Sequence, residues 1–217
     1  MACGSVLQQL IEFDHQARLR SGSRFLFGTD EAGRGPLAGP VVAGAVLVLD
    51  TSFTCVIGDS KKLSARQRET AFAEIHARCL VGVAAVSEKI IDEINILKAS
   101  HLAMSEAVKD LLSRVPQELR LEMDKPNAGV LLVDGNLFKG DVPFRAGCVV
   151  KGDSKSLAIA CASIVAKVTR DHLIEEYDKV YPQYGFKKHK GYPTAAHRAA
   201  IKQHGLLPIH RKTFTVS

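Results

Sequence analysis

Two carboxylates stand side by side at Asp30 and Glu31, where an apolar run meets Ala32-Gly33-Arg34-Gly35-Pro36. Neighbouring side chains on a regular strand point to opposite faces. Asp30 and Glu31 can therefore serve one site only where the strand bends or ends, and Gly33 and Gly35 supply that freedom. Two acids at a bend, followed by bare backbone and one arginine, suit a metal ion and a phosphodiester. A polar turn between two strands is the plain alternative. Two further acids, Asp134 in Asp134-Gly135-Asn136 and Asp153 in Gly152-Asp153-Ser154, fall where a short apolar run ends and where a helix opens. Acids scattered in sequence but clustered in space are what magnesium or manganese needs, because these hard ions take carboxylate oxygens and complete their shell with water and phosphate. Each acid also has a modest reading: Asp134-Gly135 is a tight-turn dipeptide, and Asp153 or Ser154 suits a helix N-cap.

The elements that must carry these residues follow from periodicity and punctuation. Strands are expected at about 25–31, 40–49, 80–87, 130–133 and 144–150; the second is nearly continuously apolar and so buried on both faces. An amphipathic helix over 5–20 groups Val6, Leu7, Leu10 and Ile11. Ser64 caps a helix over 65–78, a helical stretch over 88–94 breaks at Asn95, and another runs over 97–115 to stop before Pro116. Residues 116–128 read as a loop. Gly152-Asp153-Ser154 opens a long helix to about 180, with Leu157, Cys161, Ile164, Val165 and Val168 as its core stripe. A Gly/Pro-punctuated basic stretch and a short helix near 194–203 complete the chain. Five strands mixed with helices give an α/β domain with one central sheet, and sites in such sheets lie at strand ends.

At 217 residues the chain is long enough for a sizeable core, and one domain over 1–217 is expected, with its centre at about 25–180. The five cysteines show no Cys-x-x-Cys spacing and fit thiols of a reducing compartment better than disulfides or a zinc site. No apolar run is long enough to cross a membrane and no signal-like start is present, so a cytoplasmic location is expected. The net charge of +6 is unevenly spread. Residues 179–217 hold eight Lys or Arg and no acid, which leaves the first 178 with 21 basic against 23 acidic side chains, or −2. A near-neutral body with a basic end suits a polyanion, nucleic acid first, or is a solubilising tail. His189, His197, His204 and His210 show no metal spacing and read as surface or phosphate-facing residues.

Six blocks, in order, carry a resemblance: 30–36 (Asp-Glu-Ala-Gly-Arg-Gly-Pro), 59–63 (Asp-Ser-Lys-Lys-Leu), 134–136 (Asp-Gly-Asn), 151–155 (Lys-Gly-Asp-Ser-Lys), 162–171 (Ala-Ser-Ile-Val-Ala-Lys-Val-Thr-Arg-Asp) and 190–193 (Lys-Gly-Tyr-Pro). Together they resemble the bacterial ribonuclease HII family (type 2 ribonuclease H) over about 25–193. The related ribonuclease HIII usually reads Gly-Thr-Gly where this chain has Gly33-Arg34-Gly35, and it carries an extra N-terminal domain. The ends match less clearly, and no role is carried onto them.

The resemblance implies a ribonuclease H-like fold, with a five-stranded mixed sheet flanked by helices and a helical, basic C-terminal extension over about 181–217. It implies endonucleolytic cutting of the RNA strand of RNA–DNA hybrids, incision at single ribonucleotides in duplex DNA, and a role in ribonucleotide removal during replication and repair. It also implies divalent Mn2+ or Mg2+ held by Asp30, Glu31 and Asp134, with Asp153 completing a second metal position. Gly33-Arg34-Gly35 falls where the family's backbone reads the ribose 2′-hydroxyl, and Tyr192 where a tyrosine stacks on the following sugar. A monomer is expected, and the end after Pro208 reads as mobile and free to recruit a protein.

Chemistry agrees with these roles. Two metal ions can activate water on one side of a phosphorus and stabilise the leaving 3′-oxygen on the other, giving 5′-phosphate and 3′-hydroxyl ends. Main-chain groups of Gly33 and Gly35 can approach the hydroxyl that separates RNA from DNA, while Arg34 and Lys61 can grip phosphate. A non-catalytic nucleic-acid binder would have no use for four acids facing a polyanion. A metal-dependent DNA exonuclease or resolvase of related fold is the enzyme alternative; such exonucleases usually show Asp-x-Glu, whereas these acids are adjacent. No Gly-x-x-x-x-Gly-Lys-Ser/Thr occurs, which excludes a P-loop hydrolase.

Overall fold

Five strands form one sheet in the computed structural model, which describes residues 2–215: β1 (Phe25–Ala32), β2 (Val41–Val48), β3 (Cys79–Val86), β4 (Gly129–Asp134) and β5 (Arg145–Val149). Their spatial order is β3-β2-β1-β4-β5. β1 runs antiparallel to β2 and parallel to β4, so the sheet is mixed and β1 sits at its centre. β2 pairs with β3 antiparallel, and β4 with β5 parallel.

Alternation along β1 assigns the two faces. Phe25 and Phe27 enter a core with Met104, Val108 and Leu111 of α4 (Ile96–Ser113), and Phe27 stacks on Phe144 at 4.5 Å. Leu26 faces the other way and meets Ala158 and Ile159 of α6 (Leu157–Val180). Asp30 shares the parity of Leu26 and so points to the α6 side. On that side the helix backbone rides directly on glycine: a Cβ at Gly44 of β2 would lie 2.6 Å from the Ala162 carbonyl oxygen.

The apolar stripe expected on α6 is wider than its periodicity suggested. Every residue from Leu157 to Ala166 is buried, because α1 (Ala2–Ser21) and α2 (Ala65–Arg78) cover its back through Leu10, Ala71 and Ile75. Ser64 caps α2 in a reciprocal capping box with Gln67. α3 (Glu88–Ile94) ends at Asn95, whose φ of 71° breaks the helix and whose side chain accepts from Lys98 N to start α4.

Three expectations are corrected. The stretch 116–128 is not all loop: α5 (Gln117–Met123) forms after Pro116, with Met123 alone among its side chains buried. The long helix does not open at Gly152-Asp153-Ser154. Those residues make a separate 3-10 turn entered through left-handed Lys151, and Ser156 caps α6 by accepting from Ile159 N at 3.2 Å. Nor is the basic end a loose, solvated tail. α7 (Phe186–His189) and α8 (Ala195–His204) build a small core of Leu37, Ala38, Ile174, Tyr184, Phe186, Ala200 and Ile201. His197 and His210, expected at the surface, are 0% and 1% exposed, and 209–211 is tied to 37–39 by backbone bonds. Exposed Lys187, Lys188, Lys202 and Lys212 still give this end a basic surface.

Candidate active site

β1 and β4 run side by side, and the last paired residues are Thr29 and Val133. The next residue on each strand is an acid, Asp30 and Asp134, so the parallel register alone brings two distant carboxyl groups to one edge. Asp30 is 7% exposed, and its Oδ1 accepts from Glu31 N at 2.7 Å. Glu31 follows where β1 ends. Gly33 then takes φ +102°, and a Cβ there would strike the buried Arg170 side chain and sit 2.8 Å from the Pro40 carbonyl oxygen. Only glycine fits on both counts. Asp30 and Glu31 themselves stay paired with Gly44 and Ala43 of β2, and both line the cleft that opens at this strand end, where the chain turns away at Gly33.

That cleft holds about 170 Å³ and is lined by Asp30, Glu31, Gly33, Arg34, Gly35, Ser60, Lys61, Ser163, Lys167, Arg170 and Tyr192. Larger space lies elsewhere, notably a groove of about 670 Å³ at the opposite ends of β4 and β5, beside Ala128, Gly129 and Arg145. No carboxylate cluster faces that groove, so size and chemistry point to different places. The small cleft, unlike the groove, brings carboxylates together with Arg34, Lys61, Lys167 and Arg170, and this chemistry rather than volume marks it as the site.

Asp134 borders the cleft rather than lining it. Its Oδ1 accepts from Gly152 N at 2.6 Å, which ties the end of β4 to the 3-10 turn that carries Asp153. The acids sense one another. Burial pushes the Asp30 carboxyl well above the usual carboxylate range, and Glu31 and Asp134 add to the push, opposed by Ser163. Burial raises Glu31 as well, against the pull of Arg34, whose Nη1 lies 3.3 Å from Oε1. Asp153 is raised by burial, then by Asp59 and Asp134, with Lys61 opposing.

Such a group of like charges is short of positive charge, and its donors are hard carboxylate oxygens; both fit a divalent cation. Among the described residues no three His, Cys, Asp or Glu side chains converge as a ready-made metal cage. The donor set fits a metal in kind, and the ligand contacts would close only around the ion and a substrate phosphate.

Tyr192 stands at the lip with 42% of its surface exposed, and its ring edge lies 3.6 Å from the position a Cβ on Gly35 would take. The ring and the bare Gly35 backbone thus form one wall. Lys61 enters from the 59–63 loop, where its N–H donates to Asp59 Oδ1 at 3.0 Å.

Besides Ser60, four residues here had no role assigned from the sequence. Ser163, Lys167 and Arg170 come from α6 at spacings of four and three, so one face of that helix is polar and meets the cleft. Ser163 Oγ lies 2.9 Å from Ser60 Oγ, which links the helix to the 59–63 loop beside Asp30. A polar row on an otherwise apolar helix was the available signal. The fourth, Asp59, acts on Asp153 through space, and only the fold brings that loop near.

The family model described as "Ribonuclease HII" matches residues 27–217. Ribonuclease HII of Ruminiclostridium cellulolyticum is 48% identical over 213 residues, covering 96% of this chain and 76% of the relative. Ribonuclease HII of Marinomonas sp. (strain MWYL1) is 51% identical over 190 residues, covering 87% and 89%. Among solved structures, the ribonuclease H2 of Pyrococcus horikoshii OT3 superposes with a TM-score of 0.64 at 29% identity, covering 88% of this chain and 94% of that one.

Proposed function

The chain belongs to the ribonuclease HII family and is an endonuclease of RNA–DNA hybrids, and on that premise we propose that it also incises duplex DNA at single embedded ribonucleotides. The observation that carries this reading is the meeting of Asp30, Glu31 and their neighbours Asp134 and Asp153 with Gly33-Arg34-Gly35 and Tyr192 at one end of β1 and β4.

Asp30, Glu31, Asp134 and Asp153 would hold two divalent cations, magnesium or manganese, facing the scissile phosphate. Bound there, such ions supply an activated water and stabilisation of the leaving 3′-oxygen. The chain's own residues do the rest. Ser163 and the Glu31 N–H hold the Asp30 carboxyl in place, and Gly152 N–H holds that of Asp134. Arg34 and Lys61 grip phosphates flanking the cut, and the peptides of 33–35 lie against the ribose 2′-hydroxyl. Tyr192, exposed beside Gly35, stacks on the sugar that follows. Products carry a 5′-phosphate and a 3′-hydroxyl, and the cellular role is ribonucleotide removal during replication and repair.

Product mapping on a duplex with one ribonucleotide tests the proposal. A single incision at the ribonucleotide, with those end groups, is expected with magnesium or manganese and not with chelator. Cutting of an all-DNA duplex at comparable rate, or incision that persists in chelator, would overturn it.

A further inference from the structure

Arg211 lies in a segment to which the motifs give no role, yet it is 1% exposed. Its guanidinium donates only to main-chain carbonyls. Nη2 reaches Gly33 O at 2.6 Å and Gly39 O at 2.7 Å, Nη1 reaches Arg34 O at 3.0 Å, and Nε reaches Gly39 O at 3.0 Å. Phe214 covers it at 5.0 Å. Among the described residues its bonds all go to main-chain oxygens and none to a carboxylate; Glu88 and Asp92 act from farther off. An arginine that gives four bonds to backbone and none to an acid works as a scaffold for a loop, using its planar fork.

Two of those carbonyls belong to the peptides Gly33–Arg34 and Arg34–Gly35. No peptide of the described chain is cis, and in a trans peptide the N–H points away from the carbonyl. Arg211 therefore turns the N–H groups of Arg34 and Gly35 to the other side, and neither has a protein acceptor among the described residues.

The preceding residue, His210, reaches the Tyr192 side of the same wall. Leu207 N–H donates to His210 Nδ1 at 2.8 Å, which leaves the ring proton on Nε2. That nitrogen lies 3.1 Å from His197 Nε2, and His197 Nδ1–H donates to the Tyr192 carbonyl at 3.0 Å. Two buried neutral imidazoles thus carry a donor chain to the backbone of Tyr192.

We infer that His210 and Arg211 are positioning residues for ribose recognition: Arg211 sets the peptide planes of 33–35, and His210, through His197, sets Tyr192. This rests on the reading of 33–35 as the ribose-facing backbone. The C-terminal segment is then the brace of the recognition surface.

Full-chain Arg211→Lys and His210→Phe separate this role from plain stability. Lysine keeps the charge but cannot span three carbonyls, and phenylalanine keeps the ring packing against Tyr184 and Phe186. The readout is KM for the one-ribonucleotide duplex set against Ki of the matching all-DNA duplex as competitor. The wild type is expected to show KM well below Ki. In Arg211→Lys, loss of about one well-aimed bond should raise KM about tenfold toward Ki while Ki moves less than about twofold. His210→Phe should move KM the same way by a smaller factor. A fall in kcat alone, with KM/Ki unchanged, is what partial unfolding gives, and it overturns the inference. A wild type whose KM equals Ki overturns the ribose reading itself. Where one variant fails to fold, the other decides.

Discussion

A methyl group placed well behind the cleft should disable it. Gly44 of β2 pairs with Asp30 of β1, and the α6 backbone passes directly over it. The Cβ of Gly44→Ala would lie 2.6 Å from the Ala162 carbonyl oxygen and 3.2 Å from Ala166 N. To restore the 3.4 Å of ordinary contact the helix must retreat by about 0.8 Å. Ser163, the next residue, would follow, and its 2.9 Å bond to Ser60 would lengthen by up to about 0.8 Å or lose its alignment. The contact between Ser163 and Asp30 would be strained by the same movement.

Overpacking of this kind costs about 1–3 kcal/mol. For a domain of this size that lowers Tm by about 2–12 °C. A displacement near 1 Å beside the reacting centre costs up to about a hundredfold in rate, so kcat on an RNA–DNA hybrid should fall at least tenfold or so. Gly147→Ala on β5 is the control, since its Cβ would meet nothing closer than Leu132 Cδ2 at 3.8 Å. Thermal unfolding and steady-state hydrolysis of both variants check this. A Gly44→Ala protein with wild-type Tm and kcat would refute the claim that α6 sets the geometry of the acids.

Three further outcomes follow from the same structure. Asp30→Asn should lower turnover at least about a hundredfold and yet raise Tm in chelator at neutral pH. An acid whose folded pKa is raised costs stability once it ionises, so the gain should vanish as pH falls below the usual carboxylate range. Normal turnover in the folded variant would remove Asp30 from the mechanism. Tyr192→Ala should weaken incision at a single ribonucleotide about tenfold or more, through lost stacking, while binding of plain duplex is nearly kept; equal losses would end its recognition role. Asp14 accepts from Ala158 N at 2.9 Å near the start of α6, and burial pushes its carboxyl up to about 6 from 3.8. Ionising it costs stability that is lost as pH rises through that window. Asp14→Asn should therefore raise stability at pH 8 by at most about 3 kcal/mol and leave it unchanged at pH 3, as denaturant titrations at the two pH values would show.

Local signals were enough for much of this molecule. Apolar runs bounded by glycine and acid mark β1 and β4, the near-continuous run marks β2, and Ser64 and Asn95 announce helix ends through their own side chains. Where a signal was short or overridden, the reading slipped. α5 buries only Met123, so it leaves almost no apolar period to detect. Gly152-Asp153-Ser154 looks like a helix start because its residues cap well, but the left-handed Lys151 and the bond from Gly152 N to Asp134 hold it as a separate turn.

The larger omissions share one cause: the contact joins segments that nothing local connects. His197 and His210 carry no periodicity that separates a buried imidazole from a solvated one, and basic composition alone favours the solvated reading. Arg211 reaches carbonyls of residues nearly the whole chain away, and main-chain oxygens have no residue type to recognise. Side-chain chemistry leaves candidates in the letters, as the four acids show. Backbone geometry enters the letters where glycine is required, as at Gly33 and Gly39, and the residue that uses that geometry looks in sequence like any surface arginine.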